Sequence, residues 1–117
     1  MSWLAVLDAF PEEFEIKLID LAEVQQILIM NSLYGEREHI ELDLLLRGGE
    51  KVHVADLPLS ADVERIVKQL NLEVRKSKSG KGDLAIFKVE ESGLSRFSFS
   101  ELASLKAFAR QEQGVRA

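Results

Sequence analysis

Cysteine is absent from this 117-residue chain. Without a thiol there is no disulfide, no thiolate zinc site and no thiol nucleophile, and the composition suits a reducing compartment. Long apolar runs are missing as well. Ile27 to Met30 falls far short of the ~20 residues that span a bilayer. The opening, MSWLAVLDAF, has no basic leader and carries Asp8 within its apolar stretch, unlike a secretory signal. These absences point to a cytoplasmic protein with no membrane partner. Positive charge is scarce in the first part of the chain. Residues 1–45 hold only Lys17 and Arg37 against ten acidic residues, a balance of −8, so residues 46–117 carry +3 of the net −5. Such asymmetry can orient a charged partner or two copies of the chain. Histidine occurs twice, at His39 and His53.

What is present fits a folded domain. Hydrophobic residues make up 46% and charged residues 30%, and a chain of this length suits a single domain, 1–117, with one core. Phe14, Ile16 and Leu18 alternate with Glu13, Glu15 and Lys17, which predicts a strand over 13–19; a helix with Pro11 in its first turn is the competing reading. Asp20 with Glu23 three residues on resembles a capping box and predicts a helix to about Leu33, ended by Gly35. That helix would be apolar around much of its girth, which makes Ile27, Met30 and Leu33 the candidate interface with another chain.

Residues 38–56 read as a hairpin. A three-residue loop, Arg47-Gly48-Gly49, keeps Ile40, Leu42, Leu44, Val52 and Val54 on one face and sets Asp43 opposite His53. Leu57-Pro58 ends the strand, and Ser60 or Asp62 caps a helix whose stripe is Val63, Ile66, Val67 and Leu70. Leu72 and Val74, then Ala85, Phe87 and Val89, predict a second hairpin over 72–90 with the basic "RKSKSGKGD" at its tip. Ser98 to Glu101 reads as a capping box opening a final helix that buries Leu102, Leu105, Phe108 and Ala109. The first ten residues are left open between strand and helix. The expected fold class is α+β, a two-layer sandwich of order β-α-β-β-α-β-β-α with one sheet and its helices mainly on one face.

The span 50–90, "EKVHVADLPLSADVERIVKQLNLEVRKSKSGKGDLAIFKVE", resembles the second half of the TusA/SirA-like sulfur-carrier domains. There a strand ending in an acidic-Pro turn leads into a helix and then a two-stranded hairpin. "FEIKLID" followed by a helix is similar to the first half. The resemblance covers about two-thirds of the chain and implies a fold. It does not imply sulfur transfer, because the family's Cys-Pro pair is replaced by Asp20-Leu21-Ala22. Residues 35–49 and the last helix also depart from the family's pattern.

Several chemistries are weighed and set aside. "SGKGD" is not a Walker loop, which needs G-x-x-x-x-G-K-[ST] between a strand and a helix. Arg75, Lys76, Lys78 and Lys81 could contact a nucleic-acid backbone, but no aromatic residue interleaves them to stack on bases. His39, His53 and Asp43 are of metal-ligating type, yet the sequence offers no third good ligand and no second layer of support. The Asp43–His53 pair therefore reads as a cross-strand polar contact that can respond to pH. Glu15-Ile16-Lys17 matches a common E-x-K fragment without an acidic partner, and Ser77, Ser79 and Ser98 have no histidine near in sequence. The expected function is a non-catalytic interaction or regulatory module with no cofactor, its partner another copy of itself or another protein. Nucleic-acid binding through the 75–81 hairpin is the alternative.

Overall fold

The structure is a computed structural model that describes residues 1–9, 14–34, 37–81, 84–98 and 100. The first strand, β1 (Ser2–Ala9), resolves the open reading of the first residues. Leu4, Ala5 and Val6 are all buried, as in a strand covered on both faces. It pairs antiparallel with β2 (Phe14–Asp20), which is the strand expected from the period-two pattern, and parallel with β6 (Ala85–Glu90). β7 (Gly93–Arg96) runs antiparallel to β6, giving a four-stranded sheet of order β2-β1-β6-β7.

The helix expected over 20–33 does not form. Asp20 does cap, its Oδ1 accepting from the Ala22 N–H at 3.0 Å, but it caps a single 3-10 turn, Leu21–Glu23. The chain then continues as β3 (Val24–Tyr34). The apolar residues that overfill a helical surface suit a strand here, because β4 (Arg37–Leu46) offers Leu44 and Leu42 as direct partners for Ile27 and Ile29. Cross-strand packing of that kind overrides local capping signals. With β5 (Lys51–Leu57) the three strands form an antiparallel sheet of order β3-β4-β5.

The β4–β5 connection matches its expected form. The Leu46 N–H donates to the Glu50 carbonyl across Arg47-Gly48-Gly49, with Gly48 and Gly49 at φ +97° and +93°. Asp43 faces His53 as the three-residue loop requires.

Asp62 caps α1 (Val63–Lys78) by accepting from the Arg65 N–H at 3.1 Å. The hairpin expected over 72–90 is replaced by the continuation of this helix. Val74 stands four residues after Leu70 and extends the buried stripe of Ile66 and Leu70, while Leu72 faces outward. The helix ends in a Schellman motif: the Lys81 N–H donates to the Lys76 carbonyl and the Gly80 N–H to the Ser77 carbonyl, with Gly80 at φ +70°.

One core joins both sheets and the helix. Leu4, Val6, Ile19, Leu21, Val24, Leu42, Leu44, Val52, Leu57, Ile66, Leu70, Val74 and Phe87 form a continuous buried cluster. The class is thus α+β. The order among the described residues is β-β-β-β-β-α-β-β, with two sheets and one helix in place of the single sheet and alternating order expected. The proposed final helix, with Leu102, Leu105, Phe108 and Ala109, lies outside the described residues, as does the expected helix end at Gly35. The described helix is neither long nor apolar enough to cross a membrane.

Candidate functional site

The ionisable side chains that converge lie on the outer face of β4 and β5. β4 points Ile40, Leu42 and Leu44 toward the core and His39, Glu41 and Asp43 away from it, as alternation dictates. β5 begins in matching phase, with Val52 inward and Lys51 and His53 outward. The register then slips by one: Asp43 pairs with His53, but Leu42 pairs with Ala55, leaving Val54 as the extra residue of a bulge. Beyond the bulge the parity of β5 is inverted. Leu57 is buried and Asp56 joins the outer face opposite Glu41.

The bulge thereby assembles a cluster from two strands. The His53 Nδ1–H donates to Asp43 Oδ1 at 2.7 Å, and His53 Nε2 stands 3.2 Å from Asp56 Oδ1. His39 Nε2 lies 3.5 Å from the same Asp56 oxygen and 3.8 Å from Glu41 Oε1. Lys51 Nζ is 3.5 Å from Asp43 Oδ2. Asp43 is only 3% exposed, while His53 and Asp56 are open to solvent. Burial alone would lower the His53 pKa; the hydrogen bond to Asp43 and the charges of Asp56 and Asp43 outweigh it, and the net effect raises it. Beside the cluster, Arg37, Glu38, His39, Glu41, Asp56 and Pro58 line an open concavity of about 620 Å³. A separate, largely apolar concavity of about 690 Å³ lies between Trp3, Leu18, Leu84, Ile86 and Phe97, with Arg96 the one ionisable side chain among its described lining residues.

The Asp43–His53 pair was foreseeable from the loop length. Asp56 was missed, although one signal was present: if Val52 is inward and no residue is inserted, Leu57 must point to water, so an apolar Leu57 implies a one-residue slip.

The other candidates are placed differently from expectation. Arg75, Lys76 and Lys78 occupy the last turn of α1, and Lys81 follows its cap, so they crown a helix end and not a hairpin tip. Cations there are favoured by the helix dipole, and Lys76 also meets Glu73 at 3.6 Å. Ile27, Met30 and Leu33 lie on β3, not on a helix. Ile27 packs against the core, while Met30 and Leu33 are 46% and 68% exposed. Ile29 joins them at 44%. No protein-family model, curated protein or solved structure matches the chain.

Proposed function

We propose that this protein is a non-catalytic interaction module of the cytoplasm that pairs with a second copy of itself along β3. The observation that supports this reading is the combination of position and exposure. β3 is an eleven-residue edge strand, and it presents Ile29, Met30 and Leu33 to solvent. Long, apolar edge strands template the addition of another strand, and antiparallel pairing of identical edges closes a two-fold dimer. The acidic bias of residues 1–45 would then have to be accommodated across the interface, which favours pairing centred on the uncharged segment Val24–Leu33.

Sedimentation across a range of concentrations tests the reading. The unmodified chain is expected to be dimeric and Met30→Lys with Ile29→Lys monomeric. A strictly monomeric unmodified chain would remove the basis of the proposal. A second reading, contact with a nucleic-acid backbone, draws on the clustering of Arg75, Lys76, Lys78 and Lys81, all exposed at one end of α1. It predicts binding at low salt that weakens steeply with ionic strength and is lost when the three lysines become alanine.

A further inference from the structure

We propose that the outer face of β4 and β5 is a binding site for a divalent transition-metal ion of the zinc type, held by His39 Nε2, His53 Nε2, Asp56 and Glu41. Four observations converge on it. The first is geometric. Both imidazole Nε2 atoms approach one oxygen of Asp56, at 3.5 and 3.2 Å. The ligand atoms of His39, Glu41 and Asp56 all lie within 4.8 Å of one another, as do those of Glu41, Asp43 and His53. Ligand atoms around a tetrahedral zinc with bonds of ~2.1 Å stand roughly 3.4 Å apart. The two imidazoles fall in separate groups that share Glu41, so one ion held by all four residues requires His39 and His53 both to turn toward Asp56.

The second is support behind the ligands. Asp43, buried beneath the cluster, accepts the Nδ1 proton of His53, so Nε2, which faces Asp56, is the nitrogen that would give up its proton to bind a metal. This carboxylate–histidine relay fixes the tautomer and orientation a metal needs. Lys51 engages the second Asp43 oxygen.

The third is charge. Glu41, Asp43 and Asp56 bring three carboxylates together, and with neutral imidazoles Lys51 is the cation that the described contacts place against them; nearby Arg37 is accompanied by Glu38. A divalent cation supplies the missing positive charge. Two imidazoles with carboxylates select ions of the zinc group over magnesium or calcium, which prefer all-oxygen sites. The fourth is rigidity and access. All four ligands sit on paired strands locked in phase by the Val54 bulge, and the neighbouring concavity leaves room for a water or an external ligand on the ion. The site is independent of self-association along β3.

The two histidines of the chain both belong to the site, so their imidazole NMR signals report on it without mutation. Untagged full-length protein, freed of metal by chelation, is titrated with zinc chloride by calorimetry and NMR. One-to-one uptake is expected, with both imidazole signals shifting together and magnesium without effect. Asp43→Asn should weaken uptake about 10- to 100-fold, and Asp56→Asn, a change at an exposed side chain, should weaken it with the fold intact by circular dichroism. Absence of uptake by the unmodified chain, a shift confined to one imidazole, or undiminished uptake in the His39→Gln, His53→Gln double variant would each overturn the site in favour of a plain ion-pair network.

Discussion

The two sheets share one core but use it differently. In the four-stranded sheet, β1 is sealed: Leu4, Ala5 and Val6 are all buried along consecutive positions, and α1 lies close by. In the three-stranded sheet the inner side of β4 and β5 is buried as far as Leu57, but β3 is sealed only near its start. There Ile27 meets Leu44 and packs on the buried cluster; at the other end Ile29, Met30 and Leu33 stand in solvent. Its outer face carries the histidines and carboxylates. Both sheets feed that core, Leu4, Val6, Ile19 and Phe87 from the first and Val24, Leu42, Leu44, Val52 and Leu57 from the second, while the histidine–carboxylate cluster belongs to the second.

The sharpest way to break this contrast is a truncation in each sheet. Leu4→Ala, at a fully buried site, should cost about 2–5 kcal/mol in urea unfolding. Leu33→Ala, mostly exposed, should stay within about 0.5 kcal/mol when monomer stability is compared. A similar cost for both would mean that the distal β3–β4 ribbon is covered. A smaller effect is expected at the seam between α1 and β7. Gly93 has φ +143°, and a Cβ there would lie 2.5 Å from Gln69 Oε1, the atom that accepts from the Leu94 N–H. Gly93→Ala should cost about 1–3 kcal/mol by thermal or urea unfolding.

The smallest effect sharpens the view of the outer face. The raised His53 pKa means that the charged imidazole is held more tightly in the folded chain than in the unfolded one. Its contribution is fully present below the ordinary histidine pKa of about 6.5 and is lost as pH rises through the folded value. In metal-free buffer, the stability difference between the unmodified chain and His53→Gln should therefore shrink as pH is raised from about 6 to 8. A difference that grows with pH would contradict the Asp43 and Asp56 contacts.

How much of this was legible in the residues differs element by element. The β4–β5 hairpin was readable because Gly48-Gly49 and strict alternation admit few registers, and Asp43 opposite His53 follows from them. Asp62 and the stripe from Val63 to Leu70 announced α1. The segment after Asp20 was misleading because its cap is genuine but serves one 3-10 turn; what decides for β3 is the apolar face of β4, which local reading does not weigh. The basic stretch was misplaced because Val74 fits a strand pattern with Leu72 as well as it fits the helical stripe with Leu70. Gly80, sitting just past the last lysines, marks a helix end as readily as a turn. The histidine–carboxylate face depended on a bulge, and a single inserted residue reverses every later side chain without altering composition.

The parallel pairing of residues 2–4 with residues 85–87 has a consequence for how the molecule comes into being. During synthesis the opening strand leaves the ribosome long before its central neighbour exists, whereas the meander from Val24 to Leu57 needs only sequence-adjacent partners. Contacts between distant parts of a chain are slow to close. The β1–β2 hairpin and the meander can therefore both form early, while the other edge of β1 stays open until residues 85–87 are translated.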